Sequence, residues 1–515
     1  MKKSDQKTKN SNTASDYSKV LVLGASGYVG ARLVPELLKR SYSVRACGRS
    51  VKKLKQRPWS SEENVELAEF DIFDENSLKN VTRGCDFAYY LIHSMDPDKE
   101  DFAEADRIAA QNMVKVAEQC GLKRIIYLGG LGEKDEKTSK HLLSRIEVGE
   151  ILQSGKIPTT VLRAAMIIGA GSASFEILRY LVERLPIMIT PKWVRIESQP
   201  IAVRNVLYYL VECLNTESTT GNTYDIGGPE ILSYQQLIEI YAQEAGLSKR
   251  WILPVPVLTP RLSSYWIHLV TPIKAAIARP LAEGLSSKVV CLENRIRNEI
   301  PQNLLDCKTA IKLALDERQH DLIKDIDEIT DVIPPPEWTY PGDDAWAGGK
   351  VFEDHRLVMI KASPEEVWQP LLNIGGKNGW YYANWLWKMR GLMDNLVGGV
   401  GMRKGRTDPY NLNEGDIVDF WRISEVKNYK RLLLKAEMKL PGTAILDFSI
   451  LPKNDGIVEL HQIARFIPRG LGGILYWYLV SPLHHIIFNG MLARIAELVG
   501  KPVVEGPVEH IYKSL

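Results

Sequence analysis

No two cysteines in this chain stand at the CxxC spacing of a zinc or redox site; Cys47, Cys85, Cys120, Cys213, Cys291 and Cys307 are scattered, and none lies beyond 307. Such a pattern fits reduced thiols better than a disulfide frame, so a reducing, cytoplasmic compartment is the expectation. Charge of one sign is also missing. Lys and Arg number 65 against 63 Asp and Glu, a formal net charge of +2, which argues against a nucleic-acid binder held by a generally basic surface. Residues 1–17 carry Lys2, Lys3, Lys7 and Lys9 among Ser, Asn, Thr and Asp, with no apolar stretch that would make a signal peptide, and are expected as a solvated tail. Long hydrophobic runs are lacking as well: the most apolar segments, 251–258 and 474–480, are broken by Pro or fall short of the roughly 20 residues that a bilayer crossing needs. A membrane span is therefore not expected, whereas contact with a membrane surface stays open. No internal repeat occurs, and no low-complexity tract outside the tail.

What the chain does have is material for more than one core: 515 residues, 45% hydrophobic and 25% charged, as in an ordinary globular protein of two or three domains. From Lys19 to about Pro158, apolar runs of strand character at 20–23, 43–46, 65–70, 87–92 and 124–128 are separated by helix-length periodic segments such as 32–40, 102–119 and 141–153. This alternation predicts βαβ units, an α/β Rossmann-type parallel sheet with helices on both faces. A run at 159–168 continues the sheet, and mixed helical and turn patterns to about Leu315 read as a substrate-side lobe. Pro334-Pro335-Pro336 and the Pro-, Gly-, Trp- and Asp-rich stretch after it predict a stiff linker over 331–350. Beyond it, Ser363-Pro364-Glu365-Glu366 starts a helix running to about Leu372. Strand-like segments follow at 415–424, 430–440, 444–451 and 457–466, and a closing helix is expected from Pro482 to Val499. The expected division is a tail (1–17), an α/β domain with its lobe (18–330), the linker, a C-terminal α+β domain (351–503) and a second tail (504–515).

After the first strand stands Gly24-Ala25-Ser26-Gly27-Tyr28-Val29-Gly30, and a helix continues from it. Glycines there permit a tight turn and let backbone N–H groups approach a pyrophosphate at the positive end of the helix dipole. The strand before, the helix after and a second strand about 20 residues on supply the context such a motif requires. Where an acid would accept the ribose hydroxyls of NAD stand Arg49 and Ser50. A guanidinium matches a 2′-phosphate, so NADP(H) is expected over NAD(H), a solvated loop arginine being the plain alternative. Asp71, with Ile72 beside it at the end of the third strand, is placed to meet the adenine, or merely starts a turn toward Asp74.

The GxxGxxG spacing, together with 87–95, Leu162-Arg163, and 225–230 with Ser233-Tyr234, resembles the atypical or extended short-chain dehydrogenase/reductases of the NmrA-like, NAD(P)H-binding branch, over about Lys19 to Leu315. Later words resemble a DUF2867-type domain fused to that branch in a bacterial two-domain group; they include Gly379-Trp380-Tyr381-Tyr382, Gly398-Gly399-Val400-Gly401, Arg403-Lys404-Gly405-Arg406 and Asp419-Phe420-Trp421-Arg422. The resemblance implies dinucleotide contacts at Gly24 to Gly30, Arg49, Ser50, Asp71, Ile72 and Leu91. It also implies a Tyr, a Lys four residues on and a Ser as the catalytic set, and none of the three is present. His141 stands for the Tyr, Arg145 for the Lys, and Gly129-Gly130 occupies the Ser site. A neutral His can donate a proton and Arg145 can still hold ribose hydroxyls, but nothing remains to activate a phenol. His93, at the end of the fourth strand, faces the same crevice by topology; it meets nicotinamide or substrate, or is a simple hydrogen-bonded loop residue. Two roles stay open: an NADPH-dependent oxidoreductase acting on an apolar carbonyl or quinone-like compound, and a non-catalytic NADP(H)-binding sensor or regulator, with a membrane-surface assembly factor as a third.

The C-terminal order of helix, antiparallel strands and long helix resembles the helix-grip fold of the START and polyketide-cyclase-like superfamily, which implies an apolar cavity between sheet and helix. Trp380, Tyr381, Tyr382, Trp385, Trp387, Trp421, Tyr476, Trp477 and Tyr478 then either line a pocket for a large apolar ligand, such as an isoprenoid, quinone or lipid, or fill a core or interface. The basic cluster at 403–406 does not match a phosphate loop and reads as solvated. Glu414, Asp416 and Asp419 lack the rest of a calcium loop, and His484 and His485 are adjacent, so no metal site is expected.

Overall fold

The computed structural model describes residues 18–92, 102–134, 138–255, 270–284, 287–324, 333–401, 405–406, 408 and 411–509. The chain divides into two compact units, one made of residues 1–182, 187–317 and 330–349, the other of 183–186, 318–329 and 350–515.

The first unit is built on seven parallel strands: β1 (Lys19–Leu23), β2 (Ser43–Gly48), β3 (Val65–Glu69), β4 (Phe87–Tyr90), β5 (Arg124–Gly130), β6 (Thr159–Ala164) and β7 (Thr223–Ile226), in the spatial order 3-2-1-4-5-6-7. Helices α1 (Tyr28–Leu38), α2 (Phe102–Cys120) and α3 (Lys140–Ser154) are among the crossovers. Both faces of the sheet are apolar because both are covered. Along β1, Val20 and Val22 enter one core with α1 and Val203–Asn215, while Leu21 and Leu23 enter the other with α2 and α3. The run expected as one strand over 159–168 breaks after Ala164. Ile167–Ile168 leaves the sheet to pair with Ile201–Ala202, which opens the space beyond the carboxyl end of β6.

Residues 333–349, expected as part of a stiff linker, lie instead within the first unit. The cause is a cation. Arg32, on α1 and wholly buried, donates to the carbonyls of Pro336 (2.8 Å), Trp338 (2.6 Å) and Ala170 (3.0 Å) and pairs with Asp343 at 2.8 Å. Arg57 pairs with the same carboxylate at 2.6 Å. Burial alone would push the Asp343 carboxyl up, but the two guanidiniums and the Tyr340 N–H hold it below the usual carboxylate range.

The second unit is a seven-stranded antiparallel sheet. Its strands are β8 (Phe352–Ile360), β9 (Ile417–Val418), β10 (Trp421–Lys427), β11 (Arg431–Ala436), β12 (Gly442–Pro452), β13 (Val458–Pro468) and β14 (Val503–Glu509), in the spatial order 9-10-11-12-13-8-14. Helix α4 (Pro364–Leu372) starts as expected, on a capping box between Ser363 and Glu366 with Pro in the first turn. The segment expected as a C-terminal tail from 504 is β14 as far as Glu509, an edge strand paired with β8. Sequence reading also missed β8 and the helix α5 (Asn384–Leu396).

The closing helix α6 runs from Gly470 to Val499, twelve residues longer than expected, with Pro482 inside it. Burial of the residues that follow it offsets the roughly 3 kcal/mol that an interior proline costs. Ile487, Phe488, Met491, Leu492 and Ile495 bury the second half in the core. Leu471, Leu475, Tyr478, Leu479 and Leu483 in the first half, and Ile486 just after it, face solvent at helical spacing. By length and composition this helix is apolar enough to cross a membrane, contrary to the expectation from 474–480 alone.

Candidate functional site

The glycine turn sits at the carboxyl end of β1, where the strand order reverses between β1 and β4, the place at which open parallel sheets bind ligands. Gly24 has φ +92°, and a Cβ on it would lie 2.7 Å from the Leu91 carbonyl oxygen. A Cβ on Gly30 would fall 2.3 Å from the Gly24 oxygen. No side chain fits at either place. The N–H groups of Gly24 and Ala25 both donate to the Cys47 carbonyl, at 3.0 and 2.9 Å, tying the turn to β2. Arg57 donates to the Ser26 carbonyl from beneath and is fixed there by Asp343. Gly27 caps α1 without a side-chain acceptor, so the first N–H groups of that helix keep their donating capacity for a ligand.

These atoms face a cleft of about 510 Å³. Gly24, Gly27, Tyr28, Val29, Gly30, Leu91, His141 and Arg145 line it, joined by Ser172, Ser174, Asp344 and Trp346. Ala25 and Ser26 lie behind it in the turn. Arg49 and Ser50 lie outside the lining, exposed at the end of β2. Asp71 and Ile72 are also outside it. The Asp71 carboxylate accepts from the Phe73 N–H at 3.0 Å, closing a turn, and Ile72 is buried, its carbonyl accepting from Asn112 at 3.0 Å. His93 lies outside the described residues. Arg45, two residues before Cys47, serves the fold: its guanidinium holds the Val81 and Arg83 carbonyls and pairs with Glu66.

His141 and Arg145 stand one turn apart on α3 and share the cleft. Arg145 donates to the Leu128 carbonyl and lies 5.2 Å over the Tyr127 ring. The Tyr127 hydroxyl donates back to the Arg145 carbonyl at 3.0 Å, and burial pushes that phenol up. Tyr127 is therefore a support for Arg145 and no substitute for the missing tyrosine. At the serine position, a Cβ on Gly130 would meet Leu142 Cδ1 at 2.6 Å; Leu142 fills the space a serine side chain would need. His141 and Leu142 also line an adjoining cavity of about 140 Å³, together with Met166, Ser174, Ile177 and Tyr234. Among the described residues no three His, Cys, Asp or Glu cluster in a way that could hold a metal.

Residues 24–167 match the family described as NAD(P)H-binding, and residues 346–491 match the family described as a protein of unknown function, DUF2867. The chain joins an NAD(P)H-binding domain to a DUF2867 domain. The NAD(P)H-binding domain is similar to curated proteins along part of their length. Over 244 residues the chain is 26% identical to an NADH dehydrogenase [ubiquinone] 1 alpha subcomplex subunit 9, mitochondrial, of Arabidopsis thaliana, covering 46% of this chain and 60% of that protein. Over 117 residues it is 26% identical to cinnamoyl-CoA reductase 1 of Petunia hybrida, covering 22% and 35%. The chain thus spans less than two thirds of either relative. Among solved structures, a triphenylmethane reductase of Citrobacter sp. complexed with NADP(H) aligns over 58% of this chain and 99% of its own, at 20% identity and a TM-score of 0.46.

In the DUF2867 domain the aromatic cluster divides by place. Trp380 is core, stacked on Trp387 and Phe420, with its Nε1–H donated to Asp419 at 2.9 Å. Tyr382, Trp385 and Tyr478 are exposed. Arg406 is neither solvated nor turned to a phosphate, since it binds the carbonyls of Leu372, Ile374, Asp408 and Asn411; Arg403 and Lys404 lie outside the described residues.

Proposed function

We propose that the first unit is an NADPH-dependent reductase of an apolar carbonyl or quinone-like compound. The observation that carries this reading is the continuity of one cleft from the side-chain-free glycine turn to His141 and Arg145, and from there to the small, mainly apolar cavity behind Leu142. The backbone N–H groups at the start of α1 hold the pyrophosphate, and Arg49 takes the 2′-phosphate that distinguishes NADPH from NADH. When bound, the dinucleotide supplies the hydride. His141 donates the proton to the substrate oxygen, and Arg145, held by Leu128 and Tyr127, keeps its charge beside the ribose. Purified protein should bind NADPH and oxidise it with 2-methyl-1,4-naphthoquinone, and His141→Ala should lower kcat about a hundredfold or more with NADPH affinity unchanged. Binding without oxidation by any carbonyl or quinone tried, with no effect of His141→Ala, would sink it. Leu142, filling the space that a serine side chain at Gly130 would need, favours the second reading, a non-catalytic NADP(H) sensor; sustained turnover eliminates that one.

For the DUF2867 domain the proposal is a cytoplasmic protein resting on an anionic lipid surface. Trp385, Met389, Leu392, Met393 and Leu396 form an exposed apolar stripe on α5, a counterpart to the stripe on α6. The only acid on α5, Asp394, is buried and accepts from Gly401 and Lys439 backbone N–H groups, and α6 has no Asp, Glu, Lys or Arg before Arg494. Exposed Lys388, Lys439 and Arg469 flank the stripes, the charge an anionic headgroup layer needs. Cosedimentation with phosphatidylglycerol vesicles tests it. Leu396→Glu should release the protein, and equal recovery of both forms in the supernatant would refute the reading.

A further inference from the structure

The DUF2867 domain encloses a cavity of about 410 Å³ between α5, α6 and the sheet, inside the range of about 300–1,000 Å³ typical of small-molecule sites. Its wall is apolar almost throughout. Arg390, Arg465 and Tyr476 are polar members of the lining, Arg465 paired with Glu353 at 2.9 Å and Arg390 hydrogen-bonded to Tyr476. Among the other lining residues, the Nε1–H groups of Trp387 and Trp421 and the Nδ1 of His484 are buried and have no hydrogen-bond partner among the described residues. Both indoles are more than nine-tenths buried. Native proteins pair the large majority of such atoms, because an unmet buried donor carries its whole desolvation penalty.

The contrast within the same stack is instructive. Trp380 packs against Trp387 and Trp421 at centroid distances of 5.1 and 6.1 Å, and its own indole N–H is satisfied by Asp419. Only the tryptophans that reach the cavity are left unmet. His484 is held edge-on by Trp477 at 5.1 Å and near Phe488 at 4.7 Å. Burial lowers its pKa to about 4, so it meets a ligand as neutral imidazole. Access is apolar too, since Met389 and Met393 on α5 and Leu479 and Leu483 on α6 both line the cavity and stand exposed.

We propose that this cavity binds a flat or chain-like apolar molecule whose head carries carbonyl oxygens, which accept hydrogen bonds from the indole N–H groups of Trp387 and Trp421 and from His484. Two uncharged indole donors suit carbonyl oxygens, and the aromatic walls suit a ring. The site is separate from the nucleotide cleft and does not depend on hydride transfer there.

The test uses the full chain without nucleotide, titrated calorimetrically with 2-methyl-1,4-naphthoquinone and with 2-methylnaphthalene, which shares its shape but has no oxygen. The quinone should bind about tenfold tighter or better. Trp387→Phe and Trp421→Phe keep a ring and remove one donor each, and each should cut the quinone's advantage by about three- to tenfold while leaving the hydrocarbon unchanged. A quinone site in the first unit would not respond to either change. Equal affinity for the two compounds, no binding of either, or an advantage that survives both substitutions overturns the proposal. Should the indole variants fail to fold, Leu479→Arg changes a residue that is 77% exposed at the mouth; it must weaken both compounds with the melting temperature unchanged, and unaltered binding overturns the proposal equally.

Discussion

Each unit contains one buried aspartate between two buried arginines, and the two are wired differently. In the first, Asp343 belongs to the outlying segment 333–349, while Arg32 and Arg57 belong to the body of the α/β fold. In the second, Asp447 and both of its arginines, Arg431 and Arg465, sit on the sheet at 2.7 and 3.5 Å, and the arginines also donate to the carbonyls of Leu322, Ile323 and Lys324. Arg431 also has Glu425, and Arg465 has Glu353, each at 2.9 Å. Among the described residues Asp343 is the sole carboxylate paired with Arg32 or Arg57, whereas Asp447 is one of several around its arginines. A buried cation is costly only when nothing else can answer it.

The sharpest way to break this contrast is to neutralise both acids. Asp343→Asn should cost the first unit about 3–5 kcal/mol, because it leaves two guanidiniums buried without a counter-charge, read as a fall in that unit's melting transition. Its acid limb follows the same logic. The carboxyl is held below its unfolded value near 3.8, so its contribution is complete above about pH 4 and disappears as pH falls through the folded pKa; in Asp343→Asn the acid limb of stability against pH should be flatter. Gly30→Val comes next, expected to weaken NADPH by about a hundredfold or more, equivalent to about 2.7 kcal/mol. It should leave naphthoquinone binding in the DUF2867 domain intact; loss of both would mean that the sites are not independent. Asp447→Asn should cost about 1–3 kcal/mol, the cost of a lost buried bond with other partners in place, and an effect equal to that of Asp343→Asn would erase the distinction. The smallest effect is at Arg49: Arg49→Asp should shift the NADPH-to-NADH affinity ratio about tenfold, measured by nucleotide titration, and an unchanged ratio removes Arg49 from the 2′-phosphate site.

How far the sequence foretold all this follows from the range of the interactions. The strands β1 to β6 were legible because both faces of a parallel sheet are buried and the apolar runs are short and bounded. The glycine turn was legible because its chemistry is local, seven residues between a strand and a helix. Arg32, Arg57 and Asp343 were not, since their pairing spans 311 and 286 residues and nothing in a proline-rich segment announces an anchoring acid. The lone Arg inside the apolar helix YVGARLV was the signal available. The closing helix was expected to start at Pro482, whereas it begins at Gly470 and continues through that proline. Trp387, Trp421 and His484 stood out as aromatic or adjacent residues, but which ring nitrogens go unmet is settled only by three-dimensional packing.

Leu142 has a consequence for how this protein can change. Restoring the serine of an ordinary short-chain reductase at Gly130 is blocked while Leu142 Cδ1 occupies the place of its Cβ, and shrinking Leu142 first opens a hole in a wall shared by the cleft and the cavity behind it. Neither single step is an improvement. The serine of standard reductase chemistry is thus separated from this chain by a valley two substitutions wide at this position alone.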